Sequence, residues 1–335
     1  MAYTVWGAFD AFKRDSVDLT KSDTDTARTS RDHLFDQLKG LNGQDSACPK
    51  ISSCMPFGSF ARRTKIKPLN DIDLLAILNG SHTSATVATN STYEYWLKIT
   101  STEAPLNAFR DDYGYVNSTK VLNQIKKSIP KVRSYYKADL NRNQQAIILD
   151  LLSYSWVYDI VPAVPIASSY DKTTTEYYLI PDGTGDWMRT DPRRDTQYLS
   201  KVAKGHDGYL LQTMRLLKYW NWRTHKPRLA SYHFETLVLN IFANREAITS
   251  LPQGVADFFY WATVYIDWTC PDPKGLGPNL DANLDSTTRG KIKAAMQEAE
   301  RDSQQALAHE RRGETEAAIN KWKRVFGPSF PSYGL

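Results

Sequence analysis

The residues best suited to chemistry are Gly58-Ser59 and, after eleven intervening residues, the run Asp71-Ile72-Asp73-Leu74. Side chains alternate across a β-strand. Asp71 and Asp73 therefore share one face, while Ile72 and Leu74 turn into a core. Two carboxylates side by side repel unless something neutralises them, and hard oxygen donors suit Mg²⁺ or Mn²⁺. The Gly-Ser turn offers a backbone that a phosphate can approach closely, plus one hydroxyl donor. Phosphoryl transfer with two metals needs a third carboxylate. Asp150 in Ile148-Leu149-Asp150-Leu151 and Asp159 in Val157-Tyr158-Asp159-Ile160 both have the apolar–Asp–apolar form. Spacing does not choose between them. A lone D-x-D is common at strand ends and a lone Gly-Ser pair carries nothing, so the reading rests on the joint pattern.

The elements that must position these groups follow from periodicity. Residues 6–40 read as one long helix, with Phe9, Phe12, Val17, Ala27, Leu34 and Leu38 on a helical period and Gly40 and Gly43 at its end. Ile51 opens a short strand running into the Gly-Ser turn, and 71–78 form an apolar strand. The Ser/Thr/Asn-rich stretch 79–92 reads as a loop, and 118–137 as a basic helix whose charges form a solvated face. Residues 145–151 and 154–162 read as strands, and 168–186 as a loop. Helices are expected over 196–224, 231–248, 252–267, 285–310 and 314–326, with a Pro/Gly-rich loop around Pro271–Pro278. Trp220, Trp222 and Trp261 are expected in the helical core, and Phe330–Leu335 on the surface. The fold class is α+β: a mixed sheet with helices, then an α-helical lobe, divided as 1–170 and 171–335.

A chain of 335 residues holds two ordinary domains, and 41% hydrophobic with 24% charged residues excludes a disordered chain, a fibre and a coiled-coil rod. No window approaches ~20 apolar residues, so no membrane span is expected. The first residues lack the basic-then-apolar order of a secretory signal. Three cysteines are too few for a disulfide framework, and a reducing cytoplasm is the simplest setting. The net charge of +5 fits an anionic substrate better than a nucleic-acid coat.

Gly58-Ser59, Asp71-Ile-Asp73-Leu and Asp159-Ile-Val-Pro162-Ala163 together resemble the DNA polymerase β-like nucleotidyltransferase superfamily. Within it the chain is most similar to the cGAS/DncV-like nucleotidyltransferases (CD-NTases) of bacterial antiphage (CBASS) signalling. Gly58-Ser-Phe-Ala-Arg-Arg-Thr-Lys-Ile-Lys-Pro-Leu-Asn-Asp71 is characteristic of that bacterial branch. Leu216–Asn221, Ser231–Thr236 and the terminal Ala317–Pro331 resemble elements of its second, OAS-like lobe. The resemblance implies a polymerase β-like core, a long N-terminal brace helix and an active site between two lobes. It favours Asp159 over Asp150, so that Asp71, Asp73 and Asp159 would bind two Mg²⁺ ions, or Mn²⁺.

On the same grounds Gly58 and Ser59 would hold a donor triphosphate, Lys218 and Ser231 would contact its phosphates, and Tyr232 would stack on a base. Trp187 and Thr190 would line the acceptor pocket. Arg62, Arg63, Lys65 and Lys67 would form a positive wall or a solvated loop. The implied activity is synthesis of a cyclic di- or trinucleotide from ATP and other nucleoside triphosphates, with pyrophosphate released. The implied partners are a separate cyclic-nucleotide-activated effector and conjugation or regulatory proteins, without membrane and without required nucleic acid. The alternatives are a template-independent nucleotidyltransferase acting on RNA ends or a small molecule, and a non-catalytic nucleotide- or RNA-binding module.

Overall fold

The computed structural model describes residues 2–89, 91–168, 170–171, 173–224 and 227–334. In chain order the helices are α1 (Val5–Phe12), α2 (Lys21–Gln44), α3 (Gly58–Ala61), α4 (Ser118–Ser128), α5 (Pro192–Ala203), α6 (Tyr209–Tyr219), α7 (Ser231–Phe242), α8 (Leu251–Tyr265), α9 (Ser286–Arg311) and α10 (Thr315–Phe326). The strands are β1 (Ile51–Pro56), β2 (Asp71–Leu78), β3 (Thr83–Val87), β4 (Glu94–Ile99), β5 (Asp139–Asn143), β6 (Ala146–Asp150), β7 (Val157–Ala167), β8 (Thr175–Pro181) and β9 (Trp187–Thr190).

The chain forms two compact units that do not follow the expected 1–170 and 171–335. A sheet unit comprises Lys21–Arg62 and Leu69–Arg193. A helical unit comprises Met1–Thr20, Arg63–Pro68 and Arg194–Leu335. Hydrogen bonding gives the reason at residue 170: β8 and β9 extend the sheet beyond β7, so the sheet unit runs on to Arg193. At the N-terminus the reason is apolar packing. Phe9 meets Trp322 at 5.0 Å, and Phe12 meets Tyr219 at 4.9 Å and Phe330 at 5.1 Å between ring centroids.

The expected single helix over 6–40 is therefore two helices in two units. A π-helical segment, Lys13–Val17, follows α1, and Asp18 is extended with ψ 138°. Within the helical unit Asp18 accepts from Arg215 at 2.7 Å and the Val17 carbonyl accepts from Lys67 at 2.9 Å. These bonds compensate the break in the helix ladder.

In the sheet unit the strand order is β1-β2-β7-β8-β9-β4-β3, with β6 also on β7 and β5 on β6. One face of β2 carries Ile72, Leu74, Ala76 and Leu78, all buried. Tyr158 lies on that same face of β7, and its hydroxyl bonds Ser30 of α2 at 2.6 Å. The other face carries Asp71, Asp73, Leu75 and Ile77, and its inner part packs with Val161, Ala163, Tyr178 and Ile180.

Other expectations change. The stretch 79–92 contains β3, and 168–186 contains β8. The basic helix stops at Ser128, before a 3-10 turn over Ile129–Lys131 that holds Pro130. The helix expected over 196–224 breaks at Asp207 and Gly208, both at positive φ. Trp222 is exposed rather than core, whereas Trp220 is buried. Phe330 is 1% exposed, stacked on Phe326 in the helical core, so the tail is not a free surface segment there. Leu335 lies outside the described residues. Among those residues, no helix is long and apolar enough to cross a membrane.

Candidate active site

Parallel pairing of β2 with β7 sets Asp71 opposite Val157 and Asp73 opposite Asp159. Neighbours in register point to the same side of a sheet, and residues two apart on one strand do likewise. Asp71, Asp73 and Asp159 therefore share one face. Adjacent strands lie about 4.8 Å apart and alternate residues about 6.6 Å apart, so the three backbone positions form a small triangle. All three residues are half-buried.

Asp150 pairs with Val157 from the other side, which puts it on the same face but two strands from Asp71 and out in solvent. The register thus separates the two candidates for a third carboxylate that spacing left equal.

Gly58 closes the site from β1. Its φ is +71°, and a Cβ built there would stand 1.8 Å from Asp73 Oδ2. Only a glycine lets the turn backbone come this close to the carboxylate. Phe57 N–H donates to the Asp73 carbonyl at 3.2 Å, tying the turn to the strand. Ser59, half-buried, follows in α3.

Three carboxylates on one face, around a cradle that a side chain would fill, are a donor set for a hard divalent cation. Among the described residues, no three His, Cys, Asp or Glu side chains already stand in a metal-holding arrangement. The triangle is a property of backbone register. Side chains of like charge have no reason to converge by themselves.

The remaining site expectations divide. Thr190 of β9 pairs with Tyr178, which pairs with Pro165, six residues along β7 from Asp159. The register does not bring it beside the carboxylates. Trp187 is fully buried and its indole N–H donates to the Val116 carbonyl at 2.7 Å, so it is core and lines no open pocket.

In the helical unit Lys218 is 7% exposed. Its ammonium donates to Glu235 Oε1 at 2.5 Å and to the Thr64 carbonyl at 2.9 Å. Arg215 also holds this segment, donating to the Arg63 carbonyl at 3.1 Å. Ser231 is exposed at the start of α7. Tyr232 is half-buried, and its hydroxyl donates to Asp195 at 2.5 Å. Burial first, and then Asp195, push its phenol well above the usual range, so it keeps its proton.

Sequence reasoning missed Glu235 and the acidic partners of Tyr232. A lone glutamate in the apolar run Ser231–Phe242 was the available signal, because a charge inside such a helix requires a partner. Burial pushes the Cys48 and Cys54 thiols up to about 11 and about 12, so they keep their protons near neutral pH.

No protein-family model matches the chain. A probable cyclic nucleotide synthase of Bacillus cereus (strain VD146) is 36% identical over 337 residues, covering 99% of both chains. Escherichia coli MS115-1 CdnC, solved in a complex with HORMA-deltaN, superposes with a TM-score of 0.71 at 17% identity over 98% of both chains. The same CdnC solved with ATP gives 0.68 at 17% identity over 99% of this chain and 100% of that one. Apo DncV of Vibrio cholerae gives 0.66 at 11% identity over 97% of this chain and 96% of that one.

Proposed function

Because the chain belongs to the cGAS/DncV-like nucleotidyltransferase (CD-NTase) family, we propose that it joins nucleoside triphosphates into a cyclic di- or trinucleotide. Asp71, Asp73 and Asp159 hold two Mg²⁺ ions in this reading. A 2′- or 3′-hydroxyl of the acceptor gives up its proton to solvent, and its oxygen forms a bond to the α-phosphorus of the donor. The bond from that phosphorus to its bridging oxygen breaks, and pyrophosphate carries off the electron pair. A further attack of the same kind closes the ring.

The observation that carries this reading is the in-register pairing of Asp73 with Asp159, two residues from Asp71 on the same face. Bound Mg²⁺ supplies charge neutralisation and a more acidic attacking hydroxyl. The protein's own part is placement. The two strands fix the carboxylates, and Gly58 lets the turn backbone approach Asp73 so that Ser59 can donate to a phosphate oxygen. Lys218, Ser231 and Tyr232 are the nucleotide-binding candidates of the helical unit, and Thr190 that of β9. The product is read by a separate effector in antiphage defence. CdnC, with its HORMA complex, supports a regulatory protein partner for this chain too.

Purified protein is incubated with the four ribonucleoside triphosphates and Mg²⁺, and phosphatase-resistant products are identified by mass spectrometry. A cyclic oligonucleotide and pyrophosphate are expected. Label transferred to RNA ends or to a small molecule, with no cyclic product, overturns the reading.

A further inference from the structure

A buried histidine staples the two ends of the loop between α7 and α8. His206, 2% exposed, accepts at Nδ1 from the Ile248 N–H at 3.2 Å and donates from Nε2 to the Phe242 carbonyl at 3.1 Å. The start of α8 packs close against this loop: a Cβ built on Gly254 would stand 2.7 Å from Ile248 Cγ2. Ser250 caps that helix, accepting from the Gln253 N–H at 3.3 Å. Between the held loop and α8 lies a cavity of about 500 Å³, within the size range of small-molecule sites. Phe242, Arg245, Glu246, Gln253, Asp257 and Trp261 line it, and all belong to the helical unit. On α8, Gln253, Asp257 and Trp261 follow one another every four residues and so share one face.

Charge in this cavity is present but not paired. The Arg245 guanidinium lies 3.5 Å from the centre of the Trp261 ring. Among the described residues it has no carboxylate within ion-pair distance and donates no hydrogen bond, although Asp257 and Glu246 line the same space. The indole holds the cation in place without using its N–H groups. Asp257, half-buried, accepts at Oδ1 from the Gln253 amide at 2.7 Å, its one side-chain donor among the described residues. That bond takes one of about four lone-pair sites on the carboxylate. Burial pushes the Asp257 carboxyl above its ordinary value, and the Gln253 bond offsets only part of this. An acid and a base thus line one ligand-sized space without meeting.

A ligand that satisfies both groups brings hydrogen-bond donors to Asp257 and an anion to Arg245. Among the common bases, guanine carries two adjacent donors on its pairing edge, N1–H and the N2 amino group, which match the two oxygens of a carboxylate. Adenine, cytosine and uracil each set an acceptor beside the donor on that edge, and a carboxylate repels it. A phosphate is the natural partner of a guanidinium with unspent donors. We propose that this cavity is a binding site for a guanine nucleotide, with the base edge on Asp257 and the phosphate on Arg245. The site uses none of the sheet carboxylates and none of the nucleotide-binding candidates named under the proposed function, so it stands whether or not that reading does.

The test is equilibrium binding to the full chain by calorimetry, with GMP, IMP, AMP, guanosine and L-glutamate as probes. None of them carries a pyrophosphate leaving group. GMP is expected to bind saturably, and IMP, which lacks the N2 amino group, about tenfold more weakly, the effect of one charge-assisted hydrogen bond. AMP should not bind at this site. Asp257→Asn should weaken GMP by about tenfold or more, because the amide sets its own N–H groups against those of the base. Arg245→Gln should weaken GMP about tenfold and leave guanosine within about twofold, since guanosine has no phosphate. These losses, at residues outside the sheet unit, tell this cavity from the carboxylate site. Melting temperatures show that the variants are folded; should Asp257→Asn not fold, the GMP, IMP and AMP series on wild type and the guanosine comparison in Arg245→Gln decide. No saturable GMP binding, equal affinity for GMP and AMP, full GMP affinity in Asp257→Asn, or binding of L-glutamate in place of GMP overturns the proposal.

Discussion

The candidate site of the sheet unit and the buried ion pairs of the helical unit arrange charge differently. On the sheet, Asp71, Asp73 and Asp159 bring three groups of one sign to one face by strand register. In the helical unit, buried charges are met by opposite charges: Lys218 by Glu235, Lys274 by Asp272, and Asp302 by Lys321 and Arg324 at 3.1 Å each. Gathering like charges on one face costs folding free energy that a bound cation would offset. Pairing opposite charges inside a helical core is how a fold carries groups it cannot expose. Substitutions at the three sheet carboxylates should therefore separate activity from stability, whereas those that break a buried ion pair of the helical unit should cost stability.

The largest separation is expected at the strand itself. Asp73→Asn should lose about ten-thousandfold in product formation, and Asp71→Asn/Asp73→Asn should lose little more, because groups acting as a unit are not additive. Melting temperature should stay near wild type in both, since the amide keeps the shape of the carboxylate and leaves the buried face of β2 intact. A clear fall in melting temperature, by calorimetry, would erase the contrast.

The opposite behaviour is expected at Glu235. Glu235→Ala leaves a buried ammonium facing no carboxylate and should cost about 3–5 kcal/mol in denaturant unfolding, while Lys218→Met/Glu235→Leu should recover most of that. If the single and double variants are equally unstable, this pair does not behave as a structural ion pair.

A smaller effect is expected at Gly58. Gly58→Ala combines a positive φ with a Cβ pushed onto Asp73. It should cost about 1–3 kcal/mol of stability and lower activity by displacing that carboxylate. Unchanged urea midpoint and rate would show that the turn can move away from the strand.

The smallest effect tests an ordinary charge pair in the sheet unit. Lys131 first, and then the Ser128 hydroxyl, hold the Asp45 carboxyl down at about 2. A depressed carboxylate adds stability above its unfolded pKa, near 4, and loses it as pH falls from there through about 2. Titration of Asp45 by NMR should move up toward the ordinary carboxylate range in Lys131→Ala, and the stability lost between about pH 4 and about 2 should be smaller in that variant than in wild type.

How much of this the sequence displayed depends on how each element makes its stability. β2 was legible to the residue, because Asp-Ile-Asp-Leu-Leu-Ala-Ile-Leu states both its polar face and its core face. The carboxylate triangle was legible in composition but not in partners. Choosing Asp159 over Asp150 is a matter of pairing register, and register is a long-range property that spacing along the chain does not encode.

β3 was hidden because it is an edge strand of Ser and Thr with nothing fully buried, so it lacks the alternation that marks a strand. The break between α1 and α2 was hidden because both halves keep an apolar stripe, and only tertiary packing of Phe9 and Phe12 reveals that the stripes serve different cores. Trp187 reads alike as pocket wall or core; its bond to the Val116 carbonyl decides.

Strand register, rather than the mere presence of acidic residues, assembles the candidate active site. Cyclic-nucleotide formation with Mg²⁺ by Asp159→Asn and by Asp150→Asn, two like substitutions on neighbouring strands, tests it most directly. Asp159→Asn should abolish product while Asp150→Asn stays near wild type. Loss in Asp150→Asn with activity kept in Asp159→Asn would contradict it.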